Sequence, residues 1–352
     1  MTLSEFSFTV RRAAPVVILG FTLFIVFFVL MRMLFTALRP SAPQTVYTPA
    51  FGKIDPITFS QKIDYPPNPL FTIDNIEGRP ITASSSADIY FVPQPTSRFG
   101  YAQALSFMAK AVGFSPETNY ALTGTEAVYE NGSQRLKVDI SNFNFTFDLN
   151  FEQQPEIFDN TIIPDEINIL NYAIEFLRKM NRYPSELAQG TNNVIYLKYE
   201  PTTKEFNVVE NISDANVVEI DLFPPDIGVY PIVPPKYFNS QNYVVMVFKP
   251  RGYQVIKAQI KHFSKDIESA APYPLKSGDL AWEELKNGKG TIVSSGQNTN
   301  QITIREMFVG YYDPDIYQPY FQPVYVFLGD NNFAAYVPAI QEEYVKMIDE
   351  SL

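Results

Sequence analysis

The stretch Thr125–Leu149, TEAVYENGSQRLKVDISNFNFTFDL, decides the fold class. Its Asn131-Gly132 dipeptide is the strongest short hairpin signal, because both residue types accept the left-handed backbone of a tight turn. On either side the side chains alternate. Leu136, Val138 and Ile140 point one way, Lys137 and Asp139 the other, and Phe143, Phe145, Phe147 and Leu149 continue the pattern into a third strand. Period-two alternation marks strands with one buried face. Just upstream, Tyr101, Leu105, Met108 and Val112 recur at helical spacing and stop at Gly113. One helix followed by a three-strand antiparallel meander is the expected unit.

The same order recurs along the chain. Pro164-Asp165 opens a helix with a stripe at Ile167, Leu170, Ile174 and Leu177, followed by strands at Val194–Tyr199, Phe206–Val209 and Val217–Leu222. A Pro-rich bridge, Pro224–Pro235, precedes two strong strands, Tyr243–Phe248 and Tyr253–His262. Ser277 caps a last helix through Leu280, Ala281, Trp282 and Leu285 to Gly288, and strands follow to Pro338. These are repeats of pattern, each helix lying on one face of an antiparallel sheet. The reading is α+β: an N-terminal transmembrane helix, then helix-plus-meander units in two lobes, 70–223 and 242–341, with a C-terminal tail at 342–352.

The anchor is read from Ala13–Met31, which carries no charge, and Val16–Leu30, which is almost wholly Val, Ile, Leu and Phe. Continued to Leu38, it has the length to cross a ~30 Å hydrocarbon core. It is longer than the ~7–15 apolar residues of a signal peptide, and Phe35-Thr36-Ala37 places a bulky residue where cleavage requires a small one. Arg11 and Arg12 at one end nearly balance Arg32 and Arg39 at the other. Arg32 can snorkel from within the helix, so the expected topology keeps residues 1–12 as a cytoplasmic tail. Seven prolines between Pro40 and Pro69 make residues 39–69 an extended spacer, with Phe51, Ile54, Ile57 and Phe59 available to dock.

The formal net charge is −11, and the basic residues Arg11, Arg12, Arg32 and Arg39 belong to the first forty positions, which leaves the remainder more acidic still. Such a surface repels nucleic acid. Cysteine is absent, which removes disulfides, thiolate metal sites and cysteine nucleophiles together.

Catalytic signals are sparse. His262 is the one histidine and sits at a strand end in Lys261-His262-Phe263. Asn287-Gly288-Lys289-Gly290 lacks the phosphate-loop pattern and follows a helix. Asp313 and Asp315 flank Pro314 and supply two of the six to eight oxygens that calcium needs. Paired carboxylates facing across a cleft would suit a glycosidase, but a chain with 38 acids offers no test of that. Asn131, Asn144 and Asn211 head Asn-x-Ser/Thr triplets that chance accounts for. The expectation is a protein that is not an enzyme, with no catalytic residues, no cofactor and no metal. The candidate contact surface for a partner or glycan is the aromatic loop Tyr311, Tyr312, Tyr317, Tyr320, Phe321 and Tyr325.

The segment Pro274–Gly290, PLKSGDLAWEELKNGKG, with Gly310-Tyr311-Tyr312, Gln322–Phe327 and Tyr336–Ala339 behind it, resembles the YycH/YycI-like extracytoplasmic regulators and related PepSY-like modules over residues 270–340. The resemblance implies a single-span anchor and an extracytoplasmic domain that modulates a membrane partner, in that family a sensor kinase of cell-wall metabolism. It brings no catalytic residues with it. The leading expectation is therefore a membrane-anchored, non-enzymatic regulatory or interaction module. It would be a single-pass protein of the cell membrane with its N-terminus cytoplasmic and its C-terminal domain extracytoplasmic. It would contact the membrane through residues 13–38 and partner a membrane or cell-envelope protein. The alternatives are a cell-wall or glycan-binding surface module and, third, a carboxylate-dependent hydrolase.

Overall fold

The computed structural model describes residues 21–33, 49–63, 65, 69–81, 83–96, 100–297 and 300–347. The chain divides into two units, Met1–Tyr47 and Thr48–Leu352. In the first, residues 21–33 form helix α1. Among the described residues no helix is long and apolar enough to cross a membrane. Residues 13–20 and 34–38 of the expected anchor lie outside the described residues, as do the tail 1–12 and residues 39–48 of the spacer. The structure therefore corrects the single-span anchor. The expectations built on it fall too: membrane contact through 13–38, a single-pass location with a cytoplasmic N-terminus and extracytoplasmic domain, and a membrane-anchored regulator of a cell-envelope partner.

The second unit begins with strands β1 (Leu70–Ile73) and β2 (Ser86–Phe91), then helix α2 (Tyr101–Ala111). The meander is β3 (Ala121–Thr123), β4 (Glu126–Glu130), β5 (Gln134–Asp139) and β6 (Phe145–Leu149). Helices α3 (Glu166–Lys179) and α4 (Ser185–Gln189) lead to β7 (Thr191–Glu200), β8 (Glu205–Val208), β9 (Val217–Phe223) and β10 (Ile232–Val233). Next come β11 (Tyr243–Lys249), β12 (Gly252–Ile260) and β13 (Asp266–Pro274), and helix α5 (Gly278–Lys286). The last strands are β14 (Thr291–Ser294), β15 (Gln301–Tyr312), β16 (Tyr320–Phe321), β17 (Pro323–Gly329) and β18 (Phe333–Pro338).

The architecture is α+β, but strand pairing overturns the two lobes of repeated helix-plus-meander units. A nine-stranded sheet runs β3-β4-β5-β6-β12-β11-β9-β7-β8. Here β12 pairs with β6 across more than a hundred residues of sequence, Ala258 opposite Phe147, and β11 pairs with β9, Val244 opposite Ile220. The two strands after the Pro-rich bridge thus complete the sheet that precedes it. The early strand β1 runs parallel to β15 in a second sheet, β1-β15-β17-β18-β14, where β10 also pairs with β15. Strand β2 sits between β13 and β16 in a third. Sequence neighbours pair in β3 to β6, β7–β8, β11–β12 and β17–β18, while the long-range pairs follow which apolar faces can be buried together.

The meander forms as its alternation implies: Leu136 and Val138 are fully buried, and Phe145 and Phe147 nearly so. The hairpin turn is longer than a two-residue loop, because Glu130 pairs with Arg135. Asn131 Oδ1 accepts the backbone N–H groups of Ser133 and Gln134, and Gly132 takes φ 81°. That is an Asx turn closed by a glycine in the left-handed region. Phe143, read as strand, adopts φ 59° in the next turn instead.

Helix α3 opens at Asp165, whose carboxylate accepts Asn168 N–H at 3.0 Å. Its buried face is Ile169, Ala173, Phe176 and Leu177, while Ile167 stands 72% exposed. The buried stripe is thus rotated from the expected one. Phe176 and Leu177 together bury more apolar surface than Ile167 can, at about 2 kcal/mol for each fully buried side chain. Ser277 caps α5 by accepting Leu280 N–H.

Residues 49–60 lie against the second sheet's core. Ile54 is fully buried and bridges Val345 in parallel, donating to Tyr344 O (3.0 Å) and accepting from Lys346 N (2.8 Å). The Gln318 side chain both donates to Thr58 O (2.7 Å) and accepts Thr58 N–H (3.1 Å).

Candidate functional site

Strand β9 carries VVEIDLF, and alternation divides it between two faces. Val218, Ile220 and Leu222 are buried in the same core as Ile169, Ala173 and Leu177. Glu219 and Asp221 therefore point to the opposite face. That face is roofed. The chain from Pro235 to Gln241 crosses it, Gln61 and Asp315 close its ends, and a cleft of about 470 Å³ remains between roof and sheet. Tyr243 and Val245 of β11 and Lys257 and Gln259 of β12 form the floor beside Glu219. The Pro-rich bridge, which in sequence reads as a separator, leads into this roof.

The roof is fastened to the floor by hydrogen bonds. Ser240 Oγ donates to Leu222 O at 2.7 Å and accepts Asn242 N–H at 3.0 Å. Ser240 N–H donates to Asp221 Oδ2 at 3.3 Å, and Gln259 Nε2 donates to Gln241 O at 3.0 Å. Gln241 is 6% exposed, and its Oε1 meets no donor among the described residues. The same holds for Asp221 Oδ1 and Asp315 Oδ1.

Burial pushes the Asp221 carboxyl up to about 7, and the charge of Glu219 adds to the effect against the opposing Ser240 N–H. Burial also raises Glu219, while its hydrogen bond with Asp221 and the charge of Lys257 oppose the rise. Tyr243 is pushed up to about 12, first by burial and then by Asp148, Glu219 and Asp221. Lys257 Nζ lies 5.8 Å from the ring centres of both Phe151 and Phe206, a position that holds its charge beside the cleft wall. The sequence pattern gave no sign of this pair, because an acid on alternate positions of a strand is the usual mark of a solvated face.

A second buried charged group surrounds the only histidine. His262 is 3% exposed, and its Nε2 stands 3.6 Å from Glu186 Oε1. Glu186 also pairs with Lys265. Burial alone would raise Glu186, but His262 and Lys265 outweigh it and hold the carboxyl at about 2. Asp313 faces the same group and is pushed up to about 6 by burial, against the pull of His262, Lys265 and the Gln241 amide. Glu186 lies in the first turn of α4, and the helix ends at Gly190, where a Cβ would stand 1.7 Å from Phe223 O. Among the described residues no three His, Asp or Glu side chains are grouped to hold a metal ion. Asp313 and Asp315 serve different neighbourhoods, the histidine cluster and the cleft.

The aromatic loop is distributed through the core. Tyr311, Tyr312, Phe321 and Tyr325 are buried, and Tyr317 and Tyr320 are half-buried. Tyr311 OH donates to Asp88 O (2.6 Å), Tyr325 OH to Lys276 O (2.5 Å) and Tyr317 OH to Val92 O (3.1 Å). Tyr311 stacks on Phe321 at 5.5 Å, Tyr312 meets Phe59 edge-on at 5.0 Å, and Tyr320 packs on Phe51 at 5.4 Å.

No family model matches the chain, and no curated protein does. Among solved structures it is similar to an uncharacterized protein from Eubacterium rectale ATCC 33656, crystallised at 1.45 Å resolution. The TM-score is 0.35 at 12% identity, over 79% of this chain and 90% of that one. Nothing of function passes across a likeness of that degree. The resemblance of residues 270–340 to the YycH/YycI-like and PepSY-like regulators is accordingly corrected. The helix and strands of that segment are present, but no family model accompanies them and the described residues hold no spanning helix. Regulation of a sensor kinase loses its support with it.

Proposed function

We propose that the protein binds a small, uncharged, hydroxyl-rich organic molecule in the cleft over β9, β11 and β12. The observation that carries the reading is the composition of the lining. Gln61, Asn239, Ser240, Gln241, Tyr243 and Gln259 converge there, each able to both donate and accept a hydrogen bond. The volume falls within the ~300–1,000 Å³ of small-molecule sites. The charge of Lys257 acts on Glu219 on the floor, and Asp315 and Lys236 give the lining one further acid and one further base. A neutral ligand therefore enters without leaving a buried charge unpaired.

Recognition without turnover is the form of the proposal. Glu219 and Asp221 stand two residues apart on the same face of one strand, and of the two only Glu219 lines the cleft. A glycosidase needs its carboxyls about 5–9.5 Å apart with the scissile bond between them. His262 belongs to a different cluster and does not line the cleft.

Thermal unfolding in the presence of glucose, myo-inositol or glycerol, with butylamine and acetate as charged controls, tests the reading. At least one polyol is expected to raise the Tm of the wild-type chain and to lose that effect in Gln259→Leu. No shift with any polyol, or an equal shift in Gln259→Leu, overturns it.

A further inference from the structure

Strand register orders the floor of the cleft in rows. Tyr243 stands opposite Asp221 on β9 and Gln259 on β12, and Val245 stands opposite Glu219 and Lys257. Further along the same face, Leu197 of β7 stands opposite Val217, and Tyr199 opposite Phe206 of β8. The strand from Asp221 back to Val217 covers about 13 Å, and Phe206 lies one row beyond. The chemistry changes along that length. Tyr243 and Gln259, under Ser240 and Gln241, make a hydrogen-bonding end, and Leu197 and Phe206 make an apolar one. Phe206 is half-buried, with its ring against Phe151 at 5.4 Å and Tyr199 at 5.2 Å. Lys257 Nζ comes from the row between the two ends and lies 5.8 Å from the centre of the Phe206 ring.

From this gradient we infer that the ligand has two parts: it is a neutral aryl glycoside, with its sugar at the Tyr243–Gln259 end and its aryl ring on Phe206 and Leu197. The inference rests on the binding reading and deepens it by naming the ligand class. A sugar alone uses the donors and acceptors of one end and leaves the apolar row against water. An aryl group joined to it covers that row, and removing the apolar surface from water is the gain. Phe206 offers a ring against which a second ring packs offset or edge-on. Its contacts with Phe151, Phe158 and Tyr199 hold that ring in place before a ligand arrives, so little side-chain freedom is lost on binding. The Lys257 ammonium beside the ring repels a cationic aglycone. The ether oxygen that joins the two halves falls on the Lys257 row, where the ammonium is a donor for it.

Isothermal titration of the full-length chain with methyl, cyclohexyl and phenyl β-D-glucopyranoside tests the inference. Phenyl glucoside is expected to bind about tenfold more tightly than methyl glucoside, with the cyclohexyl compound between them. In Phe206→Ala the phenyl advantage should fall below about twofold while methyl glucoside keeps its affinity. A phenyl glucoside that binds no more tightly than methyl glucoside to the wild-type chain overturns the two-part ligand and leaves the proposed function standing. So does an advantage that survives in Phe206→Ala, or a cyclohexyl glucoside that equals the phenyl one. The wild-type series needs no substitution, so it decides the question even where Phe206→Ala does not fold. Binding of none of the three glucosides, together with no Tm shift from any polyol, overturns the binding reading and this inference with it.

Discussion

Two carboxylates in this fold, half-buried Glu186 and buried Asp221, have opposite fates. Both are taken out of water, and burial alone raises both. Glu186 has Lys265 and His262 for company and is held at about 2; Asp221 has another acid and rises to about 7. Burial determines how strongly a neighbour is felt, and the neighbour determines the sign. The contrast also divides labour. A carboxylate paired with Lys265 ties α4 to the β12–β13 connection. One that shares a strand face with another acid is raised to about 7, where it changes charge near neutral pH.

The harshest way to break the contrast is to give Glu186 the loneliness of Asp221. Lys265→Met leaves a largely buried carboxylate without its cation and should cost about 3 kcal/mol in urea unfolding at neutral pH. The pH dependence fixes the sign. The folded pKa of Glu186 lies below its ordinary 4.5, so its stabilisation is present above 4.5 and is lost as pH falls towards about 2. In Lys265→Met that loss should begin at a higher pH, and an unchanged acid limb would show that the pair contributes nothing.

A smaller change of opposite sign is expected from Asp221→Asn. The folded pKa is raised from 3.8 to about 7, so this group's contribution is full at acid pH and declines as pH rises from 3.8 through about 7. Removing the charge should stabilise the chain by about 2 kcal/mol at pH 8 and flatten the curve between pH 5 and pH 8, as measured by denaturant midpoints across pH. The smallest effect belongs to Ser240→Ala. It leaves Leu222 O and Asn242 N–H each without its hydroxyl partner and should cost about 1 kcal/mol in denaturant unfolding, while the backbone N–H to Asp221 is kept.

Local elements were legible where a single face decided them. The alternation at Leu136, Val138, Phe145 and Phe147, the Asp165 and Ser277 caps and the glycine ends of the helices all act over a few residues, and the chain follows them. Assembly was not legible. Nothing in Tyr253–Ile260 announces that its partner is Phe145–Asp148, and nothing in Leu70–Ile73 announces Gln301–Ile304. Such long-range choices depend on the fit of whole faces. The cleft escaped for a related reason. Glu219 and Asp221 look like solvated positions until the chain from Pro235 to Gln241 covers them, and that cover is a tertiary fact. The aromatic residues between Tyr311 and Tyr325 stand out in sequence as a patch because they are close together, but the strands that carry them turn most of the rings inward.

The parallel bridge between Ile54 and Val345 has a mechanical consequence. A pull applied through residue 49 and residue 347 draws the two segments past each other along their length, so the bonds from Ile54 to Tyr344 and Lys346 are strained in shear and at the same moment. Shear is the geometry in which hydrogen bonds share a load, whereas peeling breaks them singly. Tension entering the body at these points loads both bonds of that clamp together.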